Sequence, residues 1–222
     1  MARTSKSKSA SRETYNALRE DIIYKRIPSG ESLVEDDLAV KYNVSRTPIR
    51  EALKWLENDG LVIYYPYRGC FVKTFTERDV VEIYTVRKAL EGICCGTAAG
   101  IITDYNISLL EENQKKSVEA YENGDIPLAN RLGDNLHKVI LEISGNTQIQ
   151  KILDQLKGQQ EYFGSITSKM KGRMLKSLNE HEQILAALKA HDAKAAEEAM
   201  RAHMDSTMED MLQEARNARV EL

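Results

Sequence analysis

Arg46 and Arg50 stand four residues apart in the run Val44-Ser45-Arg46-Thr47-Pro48-Ile49-Arg50-Glu51-Ala52-Leu53. On a helix that spacing puts both guanidinium groups on one face. A guanidinium fork matches the O6 and N7 acceptors that guanine presents in the major groove of duplex DNA. The hydroxyls of Ser45 and Thr47, at the start of the same helix, suit phosphate oxygens. Taken alone, two arginines on a helix are more often merely solvated, so their setting has to decide.

The setting favours DNA. Pro48 falls in the first helical turn, where a missing N–H costs nothing, and Ile49, Leu53 and Leu56 form an apolar stripe beneath the arginines. Upstream, Leu38–Asn43 reads as a short helix ending in a residue that tolerates the left-handed conformation. Two short helices joined by a tight turn make a helix-turn-helix whose second helix enters the major groove. Before it, Arg12–Arg26 reads as a helix with Tyr15, Leu18, Ile22 and Ile23 on one side, ended by Pro28-Ser29-Gly30. After it, Gly60 closes the second helix, and the β-rich runs Leu61–Tyr65 and Cys70–Val72 flank Pro66-Tyr67-Arg68-Gly69. That is a hairpin wing, with Arg68 and Gly69 at its tip offering a cation and an approachable backbone to a minor groove. The domain so defined is residues 12–75, preceded by a Ser- and Lys-rich stretch, residues 1–11, expected to be a disordered tail.

From residue 76 the pattern is helical throughout. Thr76-x-x-Asp79 is a capping box that opens a helix to about Ile101, and Ser108-x-x-Glu111 is a second such box. Pro127, Thr147, Arg173 and Asp192 begin four more helices, the one from Thr147 weakened by Gly158 and Gly164. The fold class is therefore mainly α: an N-terminal winged helix-turn-helix, then an antiparallel six-helix bundle over 76–222. Charge divides at the same place. Residues 1–75 carry 13 Lys and Arg against 10 Asp and Glu; the remainder carries 18 against 24. A chain of net charge −3 thus keeps a positive balance where phosphate contact is expected. Cys70, Cys94 and Cys95 make no disulfide framework and read as reduced thiols. With no long apolar run and no apolar leader, a cytoplasmic protein without membrane contact is expected.

The blocks LVEDDLAVKYNVSRTPIREALKWLENDGLV and YRGCFV resemble the winged helix-turn-helix of the GntR superfamily, FadR-like group. VRKALEGICCGTAA, LHKVILEISGN and NEHEQILAALKAHDAKAAEEAMRAHM resemble the helical FCD effector domain of that group, in its shorter VanR-like subtype. The resemblance implies a homodimeric transcription factor, commonly a repressor, that binds palindromic operator DNA and responds to a small organic acid. It places Ser45, Arg46, Thr47, Arg50, Arg68 and Gly69 at DNA. It also places His137, His181 and His203 at the family's divalent-metal positions (Zn, Ni, Co, Fe or Mn), joined in many relatives by one aspartate. That aspartate position is Gly133 here, with Asp134 one residue later. Asp134 could serve from nearly the same face, the three histidines could suffice, or metal binding could be lost. Asn130 is a further outer candidate, and His191, beside Asp192, reads as surface. Arg87 and Glu91, four residues apart, allow two readings: an arginine that meets an effector carboxylate, or an internal ion pair. Arg173 is a second candidate for the effector, and Cys94 either lines its cavity or packs.

No HExxH run and no paired nucleophile and base are present, so no catalytic residue is expected. The rival readings are a regulator with an empty metal site and a different effector, and a helical hydrolase built on a His-held metal.

Overall fold

The computed structural model describes residues 2–218; the last four residues of the expected effector domain, and Met1 of the expected tail, lie outside them. The chain divides into two compact units.

Among the described residues, the first unit comprises 2–75 together with 154–165. It contains α1 (Ala2–Ile23), α2 (Glu35–Lys41), α3 (Arg46–Asn58) and the antiparallel strands β1 (Val62–Tyr65) and β2 (Gly69–Val72), paired Val62 to Val72 and Tyr65 to Gly69. The helix-turn-helix and wing thus stand where the sequence put them. Asn43 takes the left-handed conformation, φ 53°, at the turn between α2 and α3. Leu18, Ile22, Ile49, Leu53, Leu56 and Leu61 are fully buried beneath α3. The expected disordered tail is helical instead: α1 begins at Ala2. No Gly or Pro interrupts residues 2–23, the Ser9 hydroxyl donates to Glu13 at 2.7 Å, and Ser11 donates to Glu51 of α3, so tertiary contact reaches back past Arg12.

Among the described residues, the second unit comprises 76–153 and 166–218. It holds α4 (Glu77–Ile101), α5 (Asp104–Glu122), α6 (Ile126–Ser144), α8 (Arg173–Lys189) and α9 (Ala193–Ala218), with both ends of α7 (Thr147–Thr167). The six helices expected after residue 75 are all present. Helix α4 packs mainly on α9, α5 on α6, and α8 on α9. The Thr76–Asp79 capping box is closed in both directions. Helix α5 begins earlier than its Ser108 signal, because Thr103 caps it by accepting from the Asn106 N–H at 3.3 Å.

Residues 154–165 of α7 pack with the first unit, which is therefore not a single continuous stretch of chain. Phe75 meets the rings of Tyr162 and Phe163 at centroid distances of 4.9 and 5.0 Å, and Ser29 shares a 2.9 Å hydrogen bond with Tyr162. The helix runs on through Gly158, as the sequence predicts. A Cβ there would lie 2.8 Å from the Asp59 Cβ and 3.0 Å from the Asp59 carbonyl oxygen, so glycine is what lets α7 approach the end of α3.

Asp21 of α1 fixes the position of α2 by accepting from Lys41 at 2.8 Å, Tyr42 at 2.6 Å and Arg26 at 2.6 Å. Partial burial pushes its pKa up, but the bonds from Lys41, Tyr42 and Arg26 prevail and hold it at about 2. Such a depressed carboxylate stabilises the fold fully above its unfolded value near 3.8, and that contribution is lost as pH falls toward about 2. Asp21→Asn is expected to cost about 1 kcal/mol at neutral pH, solvent screening included. Urea midpoints at pH 7 and pH 3 check this: the gap between the variant and the natural protein should narrow at pH 3.

Candidate metal centre and nucleic-acid interface

On α3 the side chains of Ser45, Arg46, Thr47 and Arg50 are exposed, while Pro48 and Ile49 face inward. Ser45 makes no side-chain capping bond, so its hydroxyl is not spent on the helix. Both arginines carry a carboxylate from α2: Arg46 lies 2.5 Å from Asp36, and Arg50 lies 2.6 Å from Glu35. On the wing, Arg68 and Gly69 are exposed, and the Arg68 guanidinium sits 5.7 Å from the Tyr65 ring centroid and 5.8 Å from that of Phe71. Stacking of this kind keeps a long side chain extended at the tip. That Glu35 lies over Arg50 depends on the packing of α2 on α3.

In the helical unit His137 of α6, His181 of α8 and His203 of α9 come together. Their ring centroids are separated by 5.2, 5.1 and 4.8 Å, and one nitrogen of each lies within 4.8 Å of the others. His181 and His203 are 3% and 6% exposed. Burial, and then the neighbouring positive groups, push His181 well below the ordinary histidine value. Burial outweighs the bond that His203 donates to Glu180 and brings His203 down to about 4. Both rings are therefore neutral near pH 7.

Two carboxylates stand behind the cluster. Glu91 of α4 lies 2.8 Å from the His137 Nδ1, and Glu180 of α8 lies 2.6 Å from the His203 Nδ1. Burial raises the pKa of each, but Arg87 and His137 for Glu91, and His203 and Arg173 for Glu180, bring both down to about 2. Ionised carboxylates only accept, so the Nδ1 of His137 and of His203 is the donor, and the Nε2 of each is the ring nitrogen left for a metal. The His137 Nε2 is 3.3 Å from the His181 Nε2. The His181 Nδ1 is buried with no partner. Three imidazoles gathered in this way suit a divalent cation, and nitrogen donors suit Zn, Ni, Co, Fe or Mn.

Asp134 stays outside this group. Gly133 is the residue of α6 that faces it: a Cβ at 133 would lie 3.1 Å from the His181 Cε1. One residue further on, a helix has turned by roughly 100°. Asp134 is accordingly exposed, and its charge bears on Arg87 and Tyr84 of α4. Asn130 is only partly buried and His191 is exposed at the end of α8, as expected. Cys94 is buried, and all three cysteines are free thiols.

Arg87 does make the internal pair: its Nε donates to Glu91 at 2.7 Å. Arg173 is enclosed at 4% exposure. Its Nη1 donates to Asp210 at 3.0 Å and Ser206 at 3.1 Å, and its Nη2 to Glu180 at 2.6 Å and Thr207 at 2.7 Å. Those surroundings make it a counter-ion of the bundle. Sequence reasoning missed Glu180, since nothing in the order of residues pairs it with His203 on another helix.

Residues 10–72 match the family described as bacterial regulatory proteins, gntR family, and residues 82–206 match the FCD domain. The chain is 30% identical over 203 residues to the HTH-type transcriptional repressor RspR of Escherichia coli K12, covering 90% of this chain and 88% of the relative. It is 29% identical over 196 residues to the gluconate operon transcriptional repressor of Bacillus subtilis, covering 85% and 79%. Its fold is similar to that of a GntR regulator from Rhodococcus sp. RHA1 (TM-score 0.74, 22% identity, 92% and 98% covered) and to E. coli McbR/YncC (TM-score 0.75, 21%, 92% and 98%). The class is that of DNA-binding transcriptional regulators rather than enzymes. Within it, this chain belongs to the GntR family and carries an FCD domain behind its winged helix.

Arg46→Ala and Arg50→Ala are each expected to weaken binding to a selected duplex by about 1–3 kcal/mol, with the circular dichroism spectrum retained. Fluorescence anisotropy at fixed salt measures this, and unchanged affinity in both variants would remove these arginines from the interface.

Proposed function

We propose that this regulator works in the cytoplasm as a homodimeric repressor on a palindromic operator, and that a small carboxylate bound at a divalent metal in the helical unit changes its grip on DNA. The observation that carries the reading is the meeting of His137, His181 and His203 from three helices, with carboxylates behind two of them. Repression follows the named relatives.

At the DNA, Arg46 and Arg50 exchange Asp36 and Glu35 for base edges or phosphate. Ser45 and Thr47 bond phosphate, and Arg68 and Gly69 enter the minor groove. In the helical unit the three imidazoles hold the metal, which when bound supplies positive charge and open positions to an incoming acid. Arg87, held on Glu91, keeps a positive group near the cluster that favours an effector carboxylate, while Asp134 borders the site. Arg173, committed to Glu180 and Asp210, supports the bundle from behind.

Dimerisation is supported by apolar side chains left in water. Val86 and Ile93, seven residues apart on one face of α4, are 39% and 43% exposed, and Tyr105 and Leu109 of α5 are 76% and 48% exposed. One short reading helix per half-site also requires two copies at fixed spacing.

The protein purified without chelator should contain about one divalent ion per chain by elemental analysis. Joint replacement His181→Ala and His203→Ala should abolish the ion while leaving DNA binding detectable. Protein that holds no metal and takes none up would overturn the metal reading. Light scattering at micromolar concentration should give a dimer mass; a monomer with and without DNA would overturn the assembly.

A further inference from the structure

Two arginine–glutamate–histidine chains run parallel through the helical unit. In the first, the Arg87 Nε donates to the Glu91 Oε1 at 2.7 Å, and the Glu91 Oε2 faces the His137 Nδ1 at 2.8 Å. In the second, the Arg173 Nη2 donates to the Glu180 Oε2 at 2.6 Å, and the same oxygen faces the His203 Nδ1 at 2.6 Å. The arginine side chains are 13% and 3% exposed and the glutamates 8% and 15%, so both chains lie largely out of water. His181 has no such support: its Nδ1 is buried and unpartnered, and its ring edge rests against Gly133.

We propose that Glu91 and Glu180, each anchored by its arginine, are positioning residues that set metal affinity by locking His137 and His203 as Nδ1–H tautomers with Nε2 turned into the cluster. The proposal rests on the reading that this cluster holds a metal. An imidazole free to flip offers its lone pair in the wrong direction part of the time, and binding must then meet the cost of reorienting it. A carboxylate on the far nitrogen removes that cost and makes the ring a better donor. The arginine behind it does two things: it compensates the carboxylate charge in the interior, and it stops the carboxylate from swinging toward the ion itself. Because His181 lacks a partner, the two chains supply all the outer hydrogen bonds to the rings among the described residues.

The test uses the full-length protein, stripped of metal, with zinc as the probe. Zinc affinity is measured by competition with a chromophoric chelator. Glu91→Gln and Glu180→Gln are each expected to weaken zinc binding about 10- to 100-fold, the range typical when such outer partners of metal-bound histidines are removed. The circular dichroism of the metal-free variants reports whether they remain folded. A purely structural role would lower the thermal midpoint and leave zinc affinity of the folded variant unchanged. A second measurement needs no variant. In metal-free natural protein, histidine ring nitrogen shifts should show His137 and His203 as single Nδ1–H tautomers. Zinc affinity within twofold of the natural protein in both folded variants, or Nε2–H tautomers at those two rings, overturns the proposal. Failure of the natural protein to bind zinc overturns the metal reading and this proposal with it, so the two failures are distinct.

Discussion

A charge taken out of water must find an opposite charge or a hydrogen-bonding partner, and that requirement governs four of the helices around the histidine cluster. Glu91 joins α4 to α6 through His137, and Glu180 joins α8 to α9 through His203, with Arg173 reaching on to Asp210 of α9. Leucine and methionine contacts between helices tolerate small slips. A carboxylate bonded to one ring nitrogen at 2.6–2.8 Å does not. Removing one member of a buried pair strands the other and costs about 3–5 kcal/mol. The helices are thereby held in the register that gathers three imidazoles from α6, α8 and α9.

The first unit uses the same chemistry in the opposite regime. Arg46–Asp36 and Arg50–Glu35 are exposed ion pairs, each worth under about 1 kcal/mol in water. They are cheap to break, and in the proposed reading the arginines exchange these carboxylates for DNA. Rigidity comes from beneath, where Ile49, Leu53 and Leu56 are fully buried, and from Asp21, which ties α1 to α2. Burial therefore separates ion pairs that hold the helical bundle together from ion pairs that can be exchanged.

How much of this was legible beforehand follows from the range of each interaction. The helix-turn-helix, wing and helical segments were legible because their signals are local: Pro48 in a first turn, Asn43 at a left-handed turn, Thr76 and Asp79 closing one box, and the strand runs on either side of Pro66–Gly69. The start of α1 differs from the local signal because tertiary contact overrides it, with Glu51 holding Ser11, whereas the run of α7 through Gly158 was legible and only its approach to Asp59 depends on packing. Three histidines were singled out by resemblance, and their convergence is a fact of packing.

By itself the sequence determined the local conformations, the apolar stripes and the inventory of side chains, since each depends on neighbours within a turn or two. Only the tertiary structure decided that Glu180 supports His203, that Arg173 is enclosed, that Gly133 faces the cluster while Asp134 turns outward, and that Glu35 covers Arg50. Those partners lie on different helices or are separated by helical phase. Their meeting depends on how the apolar faces pack, and no spacing along the chain encodes that distance in space.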